Sequence, residues 1–231
     1  FANINSFNGT QTAGANTEMI IPATSTWTTN NVNSTFVDFM PITNNGTILL
    51  TGNSNIAATF DCDITNNGTF TWEGLRLIAP TSSTITNNGT LNLNTPNNYI
   101  NTNIHIINES GGNVIRDGAA TQVFNGTFTN NTGGTLTINA EKGLTFNNNF
   151  TNEGTVDCAG TLNFTGGSHT FTNDTFGGTG TLNLSGSNTF TSSTGFTPAF
   201  ANINSFNGTQ TADSNTEMII PATSTWTTNN V

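Results

Sequence analysis

The chain has 231 residues, of which only 7% are charged, and its formal net charge is −10 with a pI near 4.1. Its three basic residues are too few to neutralise a run of phosphates, so the composition argues against nucleic-acid binding. No apolar run approaches the roughly 18 residues of a membrane-spanning helix, so we expect no membrane span in this stretch.

A 32-residue segment occurs twice, at residues 1–32 and at residues 200–231, and 30 of its 32 positions are identical. The two differences are Gly14/Asp213 and Ala15/Ser214. We interpret residues 1–231 as one continuous domain and as a window on a tandem array with a 199-residue repeat. At a coil spacing of about 4.8 Å, nine coils of one repeat would rise roughly 43 Å.

A five-residue motif follows the first copy of that segment and returns at a short period. Thr43-Asn44-Asn45-Gly46-Thr47 recurs from Thr65 and from Thr86, and looser copies stand at 129–135 and 151–155. The reference glycines fall at 46, 68, 89, 111 or 112, 133, 154 and about 177, and this period of 21 to 23 residues is typical of a stacked-coil architecture. Because Asn and Gly both tolerate positive φ, we expect a turn at each motif. The predicted turn residues are Asn45, Gly46, Asn67, Gly68, Asn88, Gly89 and Gly154.

After each turn, polar and apolar residues alternate, which is typical of a strand with one buried face. A unit of about 22 residues cannot bury its own apolar side chains, but stacked units can. The sequence therefore predicts an all-β fold, a parallel β-solenoid (β-helix) with coils of about 22 residues and little or no α-helix. Equivalent inward residues should form two core columns. The first contains Ile48, Phe70, Leu91, Leu136 and Val156, and the second contains Leu50, Trp72, Leu93, Ile138 and Cys158.

A hairpin-built β-sandwich is the alternative fold, since Asn-Gly turns between alternating strands are also typical of hairpins. We favour the solenoid because the motif recurs in the same phase, and a sandwich has no reason to repeat itself. The handedness of the solenoid stays open. The chain contains 41 Asn and 48 Thr residues, which in a solenoid can hydrogen-bond as ladders along the axis.

Residues 178–191 read Gly-Thr-Gly-Thr-Leu-Asn-Leu-Ser-Gly-Ser-Asn-Thr-Phe-Thr. This stretch resembles the autotransporter-associated β-strand repeat, whose pattern is Gly-x-Gly-Thr-Leu-x-Leu-x-Gly-x-Asn-Thr-Tyr. Repeats of that family occur in secreted β-helical passenger domains, so the resemblance implies an extracellular bacterial surface protein and no catalytic activity. The resemblance ends where Ser192-Ser193-Thr194 replace the family's glycine-rich continuation.

Residues able to carry acid–base or metal chemistry are sparse. Asp61 and Asp63 would point outward from one strand about 6.5–7 Å apart, a spacing that suits paired carboxylates. No third acid or basic residue accompanies them in sequence, so we interpret them as solvated side chains. His105 and His169 lie about three coils apart and cannot form a ligand pair. We expect no enzyme activity, no bound metal and no cofactor.

The two cysteines, Cys62 and Cys158, are separated by 96 residues, or about four coils. At roughly 20 Å along the axis they are too far apart for a disulfide. Both have apolar neighbours at even spacing, so we interpret them as small buried thiols.

The leading functional hypothesis is a structural or adhesive extracellular fibre on a bacterial surface, in which continuous β-stacking gives a stiff rod. Its partner would be further copies of itself, joined end to end and in lateral bundles. The low charge density opposes such association little.

The alternative is a carbohydrate- or surface-binding module, with surface glycans as partners and exposed aromatic rings as sugar platforms. The candidate platforms are Trp27, Tyr99 and Trp226. Ice binding is a weaker alternative, suggested by the Thr-x-Thr pairs Thr69/Thr71, Thr127/Thr129 and Thr135/Thr137. Residues such as Asn92 and Asp157 interrupt those rows, which argues against lattice matching. A polysaccharide-active enzyme is the weakest alternative.

Overall fold

In the computed structural model, the chain forms three-sided coils stacked along one axis, and the strands of neighbouring coils pair in parallel. The structure describes residues 3–4, 9–11, 17–30, 34–36, 40–52, 57–74, 76–79, 81–95, 103–172, 175–191, 199–206, 208–212, 214, 222 and 225–226. Those ranges contain no helix, and so none long and apolar enough to cross a membrane. The prediction of an all-β parallel solenoid is confirmed, and an antiparallel sandwich is excluded.

The strands of the described residues lie on three faces. Face 1 contains β1 (Asn3–Ile4), β4 (Thr26–Asn30), β7 (Thr47–Thr51), β10 (Thr69–Trp72), β13 (Thr90–Leu93), β15 (Asn113–Arg116), β18 (Thr135–Ile138) and β21 (Thr155–Cys158). Face 2 contains β2 (Gly9–Gln11), β5 (Ser34–Phe36), β8 (Ala57–Phe60), β11 (Arg76–Ile78), β16 (Thr121–Phe124), β19 (Gly143–Phe146) and β22 (Thr161–Phe164).

Face 3 is a single ten-stranded sheet. Its strands are β3 (Met19–Ile21), β6 (Ile42–Asn44), β9 (Ile64–Asn66), β12 (Ser83–Asn87), β14 (Ile104–Asn108), β17 (Phe128–Asn130), β20 (Phe150–Asn152), β23 (Ser168–Thr172), β25 (Ser187–Thr191) and β27 (Gln210–Ala212). Two longer strands, β24 (Phe176–Leu184) and β26 (Ala199–Phe206), run across faces 1 and 2, and β28 (Thr225–Trp226) pairs with β26.

The distance along the chain between paired residues measures the length of a coil. In the coils built on the Asn-Asn-Gly motif, the separation in sequence is 22 between Asn44 and Asn66 and 21 between Asn66 and Asn87. Later coils are shorter, since Phe150 pairs with His169 in the same sheet. After residue 150, the strands of each face therefore stay in register with fewer residues in the corners between faces.

Inward residues of face 1 form two columns. The first column runs Trp27, Ile48, Phe70, Leu91, Val114, Leu136, Val156 and Phe176, and the second runs Thr29, Leu50, Trp72, Leu93, Arg116, Ile138 and Cys158. Each of these side chains is at most 1% exposed. Val114 and Arg116 come from a coil without the Asn-Asn-Gly motif, and both occupy inward positions of the same files.

The Asn-Gly corners have a different physical basis from the one that the sequence suggested. Gly46, Gly68 and Gly89 lie outside the left-handed region of φ, so these corners do not require positive φ. A Cβ on Gly68 would instead lie 2.2 Å from the carbonyl oxygen of Gly46, and one on Gly89 would lie 2.2 Å from that of Gly68. Glycine is needed because the backbones of successive corners approach too closely for any side chain.

Candidate functional site

The longest regular feature of the surface is an outward file of β-branched side chains along face 3, which we call the threonine file. In register, its members are Ile20, Thr43, Thr65, Thr86, Ile107, Thr129, Thr151, Thr170, Thr189 and Thr211. Each presents a methyl group at about 4.8 Å spacing, and eight of the ten add a hydroxyl. The file is uncharged, and Ile20 within it is 57% exposed.

A second polar row lies beside the threonine file, at the corner that leads to face 1. Its hydrogen bonds run from coil to coil: Asn67 Nδ2 donates to Asn45 Oδ1 at 3.0 Å, and Asn88 Nδ2 donates to Asn67 Oδ1 at 2.9 Å. Further along, Asn131 Nδ2 donates to Glu109 Oε2 at 2.8 Å. These amides and carboxylates give face 3 a hydrated margin beside its uncharged centre.

Directly inside the same corner lies a buried asparagine ladder. Its members are Asn44, Asn66, Asn87, Asn108, Asn130 and Asn152, each 0% exposed. Every Nδ2 in the first five donates to the Oδ1 of the next residue at 2.7 or 2.8 Å. A chain of buried amide hydrogen bonds in a low-dielectric interior is strong when it is complete and costly when it is broken.

The ladder amides also donate to the backbone. Asn44 Nδ2 donates to Thr69 O at 3.0 Å and Asn66 Nδ2 to Thr90 O at 3.0 Å, so the ladder fastens the start of each face 1 strand. The ladder lies between Ile21, in register before Asn44, and Phe171, in register after Asn152. It is therefore bounded by apolar residues at both ends.

Arg116 is a cation inside the core columns and is 0% exposed. Its guanidinium donates to the backbone carbonyls of Leu93 at 2.5 Å, Thr95 at 3.3 Å and Gly143 at 3.1 Å, and to that of Ala120. Burial lowers its pKa to about 10, so the side chain stays protonated at neutral pH. Arg116 thus donates hydrogen bonds to backbone carbonyls of three coils and holds these coils together.

Aromatic rings succeed the asparagine ladder, since Phe171 and Phe190 follow Asn152 in register, while Phe128 and Phe150 belong to the adjacent inward file. Phe128 and Phe150 stack at 5.6 Å with an interplanar angle of 16°, and Phe171 and Phe190 stack at 5.2 Å with an angle of 13°. Such offset contacts add to the burial of the rings themselves. His169 lies among these rings, 0% exposed and 4.8 Å from Phe164.

Burial lowers the pKa of His169 to about 4, and a backbone hydrogen bond with Gly166 partly opposes this shift. The imidazole is therefore neutral at physiological pH. In register it stands between Phe150 and Asn188, and the two preceding coils carry phenylalanine at this position. It is a buried polar group beside aromatic rings.

The structure corrects the assignment of Trp27 as a glycan platform. Its side chain is 0% exposed because it heads the first core column above Ile48, so no sugar can reach its ring. Tyr99 lies outside the described residues, as does the side chain of Trp226. The three Thr-x-Thr pairs do not all share a surface either, since Thr69/Thr71 and Thr135/Thr137 lie on face 1 and Thr129 lies on face 3.

The carboxylates and the surface histidine make local contacts with the next coil. Asp63 Oδ1 accepts the backbone N–H of Thr84 at 2.8 Å, and Asp61 accepts the hydroxyl of Thr81. His105 Nδ1 lies 2.6 Å from Thr127 Oγ1. Across the described ranges, no three His, Cys, Asp or Glu side chains come together as metal ligands.

Both cysteines are free and buried. Burial, reinforced by neighbouring aspartates, raises the pKa of Cys62 to about 12, and burial likewise raises the pKa of Cys158 to about 12. A thiol so protonated is a poor nucleophile and a poor metal ligand. The two side chains therefore belong to the packing of the core.

The ladder predicts a large difference between two neighbouring asparagines. Asn87→Ala leaves an amide hydrogen of Asn66 and the Oδ1 of Asn108 without their buried partners, and we expect a loss of about 2–4 kcal/mol in the free energy of unfolding. Asn88→Ala removes only an exposed bond and should cost less than about 0.5 kcal/mol. Urea unfolding of the two variants makes the comparison, and equal losses would contradict a cooperative ladder.

His169 predicts a pH dependence of stability. The pKa of His169 is about 4 in the folded chain, below the ordinary value of 6.5 that applies to the unfolded chain. As the pH falls, the unfolded chain therefore takes up a proton before the folded chain does. The stabilising contribution of neutral His169 is complete above pH 6.5 and is lost as the pH falls towards 4. His169→Phe, which extends the Phe150 file, should raise stability at pH 7 by about 1–3 kcal/mol and flatten the dependence between pH 6.5 and 4. Urea midpoints across this range measure both effects. An unchanged slope in His169→Phe would contradict the assignment.

The chain was compared with models of known protein families, with curated proteins and with solved structures, and none of the three comparisons gave a match. The functional conclusion therefore rests on the geometry of the solenoid and its surface files.

Proposed function

We propose that the protein is a structural segment of an extracellular bacterial fibre, with a mechanical rather than a catalytic role. The observation that carries the proposal is the unbroken stack of face 3, in which ten parallel strands follow one another from β3 to β27. A stack of this kind has no hinge within it, because each inner strand is held by backbone hydrogen bonds on both sides. Adding coils lengthens the rod, and each added coil repeats the same parallel strand pairing.

Two features of the interior support a mechanical role. The asparagine ladder adds a second line of hydrogen bonds parallel to the axis, and Arg116 ties together carbonyls of three coils. Pulling the coils apart would require breaking the backbone hydrogen bonds of faces 1 and 3, those of face 2 where its strands pair, and these side-chain bonds together. Because so many bonds would have to break at once, the arrangement favours stiffness along the axis.

The proposal of an extracellular location has a separate basis. The segment at 178–191 resembles a repeat of secreted passenger domains, and in the structure it forms part of β24 and all of β25, in register with the coils on either side. A neutral-polar surface with 7% charged residues suits a fibre that associates with its own kind. We assign the cell surface as the site of action.

The threonine file supports lateral contact between two copies of this chain. It is long, uncharged and regular, and a second copy would present side chains at the same spacing of about 4.8 Å. Two such files can interdigitate as identical side chains do in dry zipper interfaces between sheets. The hydrated margin with Asn67 and Glu109 would then lie at the edge of the contact.

The threonine file also favours a second function, ice binding, because methyl and hydroxyl groups recur along a rigid surface. The neighbouring outward positions, two residues before each member of the file, count against it. They carry Glu18, Pro41, Asp63, Thr84, His105, Thr127, Asn149, Ser168, Ser187 and Thr209. A lattice match needs at least two regular rows, and face 3 offers one.

The fibre proposal predicts where the protein is found. Antibodies raised against the purified chain should label filaments outside the producing cells in immunogold electron microscopy, because the rod acts as part of a surface structure. Preimmune serum is the control. Labelling confined to the cell interior, or to particles with no filamentous form, would contradict the proposal.

The lateral contact predicts that charge on face 3 blocks bundling. Thr129→Lys with Thr151→Lys places two like charges in neighbouring coils of the threonine file, and we expect bundles seen by sedimentation and negative-stain microscopy to disappear. The matched control, Thr135→Lys with Thr155→Lys, makes the same change on face 1 and should bundle like the wild type.

Unfolding midpoints of the two double variants establish that both retain the solenoid. Equal bundling by both would show that face 3 is not the contact. Freezing-point hysteresis in the wild-type chain that is lost only in the face 3 variant, without any bundling, would instead favour ice binding.

A further inference from the structure

The duplicated segment makes the same coil in both of its copies. In the first copy, Asn3 pairs with Thr26 and Ile4 with Trp27. In the second copy, the equivalent residues pair in the same way, Asn202 with Thr225 and Ile203 with Trp226. The segment therefore closes one complete coil wherever it stands.

The two copies nevertheless lie on different faces. Ile4 and Trp27 belong to face 1, where Trp27 is followed by Ile48. Ile203 is instead in register with Leu182, which continues the face 2 file of Leu144 and Leu162. A step of one full repeat thus moves an equivalent position from one face to the next.

The displacement can be followed strand by strand. On face 1, nine strand-to-strand steps separate β1 from β26. The strands between them are β4, β7, β10, β13, β15, β18, β21 and β24. Ile203 stands in β26 beyond the corner, on face 2. One copy therefore spans nine coils and one further side, which corresponds to a rise of about 45 Å.

The next strand of the segment shows the same step. Gln11 lies on face 2, where it pairs with Phe36. Its equivalent in the second copy, Gln210, lies on face 3, where it pairs with Asn188. Two successive strands of the segment are therefore displaced by one face in the same sense.

The last coil of one copy is shaped to receive the first strand of the next. Phe200 packs edge-on against Phe176 with ring centroids 5.0 Å apart. A Cβ on Gly177 would lie 2.8 Å from the Cβ of Ala199, so glycine leaves the space that this strand needs. Two register shifts in the pairing of β24 with β26 adapt the incoming strand to the corner.

We propose that β24 is the docking seat for the first strand of the following 199-residue copy, and that each copy is turned by one third of a turn about the fibre axis relative to the copy before it. The partner at this interface is a second copy of the same unit. The register at the joint is Thr181 with Asn202 and Leu182 with Ile203. This deepens the proposed fibre function and rests on it for the array beyond this chain.

The turn distributes surface features around the fibre. The threonine file of one copy lies on face 3, and the equivalent residues of the next copy would lie on face 1, then on face 2, before returning to face 3. Lateral contacts made through that file therefore point in three directions along the fibre. Fibres of this kind pack as three-dimensional bundles, whereas an unrotated array would associate as flat ribbons.

Engineered disulfides in the full chain test the seat. Directly paired residues on neighbouring parallel strands have Cα atoms about 4.8 Å apart, within the range of a disulfide. Thr181→Cys with Asn202→Cys should crosslink under mild oxidation as completely as Thr161→Cys with Thr181→Cys, which lies one coil earlier in the same file. Native Cys62 and Cys158 are buried and should stay reduced.

An unrotated joint makes a different prediction. On face 1, Asn202 would fall beside Thr175, which precedes Phe176 in the file of Thr155. Thr175→Cys with Asn202→Cys should therefore fail to crosslink if the copies are turned. Crosslinking of this pair, or failure of the 181/202 pair while the 161/181 pair forms, would overturn the proposal. The result does not depend on microscopy of filaments, so failure of the joint and failure of the fibre proposal can be told apart.

Discussion

The constraint on which the structure depends is the parallel, in-register stacking of coils at about 4.8 Å, which sets every side chain above its equivalent in the coil before. Under that constraint a buried side-chain amide finds a well-placed partner in the same residue of the next coil. Asn87 illustrates this, because it accepts from Asn66 and donates to Asn108, and an apolar residue in its place would leave both without partners. The ladder is therefore an all-or-none feature, and its two ends at Ile21 and Phe171 mark where the core changes its chemistry.

The core is built in two ways along the axis. The earlier coils combine aliphatic files with the asparagine ladder, and in the later coils Phe171 and Phe190 follow Asn152 in the same file. The change from Asn152 to Phe171 coincides with a shorter coil. His169 is a polar residue buried among these rings. Arg116 is also buried, and its guanidinium donates hydrogen bonds to several backbone carbonyls.

The period and the alternation of the sequence were sufficient to predict the fold, because both are direct consequences of stacking strands with one buried face. They could not identify Arg116 or His169 as interior residues, since their side-chain chemistry indicates the surface while their position in the alternation indicates the core. Trp27 was misplaced for a related reason: the segment around it lacks the Asn-Gly motif, yet it forms a regular strand that begins the first core column. The glycine corners were predicted for the wrong reason, because close approach between neighbouring backbones depends on the coil above and is invisible in a single motif.

The rotation between copies depends on a property that no motif encodes, namely where the corners fall. Three faces with the same alternation are interchangeable to an incoming strand, so Ile203 can pair with Leu182 as readily as Ile4 pairs with Trp27. The duplicated segment must therefore fit the core from more than one side, and its inward residues have to suit each setting. Its surface has no such demand: of the two positions where the copies differ, Ser214 is an exposed turn residue. The one-face shift thus restricts the inward residues of the segment more than its outward residues. It also allows a chain of fixed repeat length to present the same surface to partners in three directions around the axis.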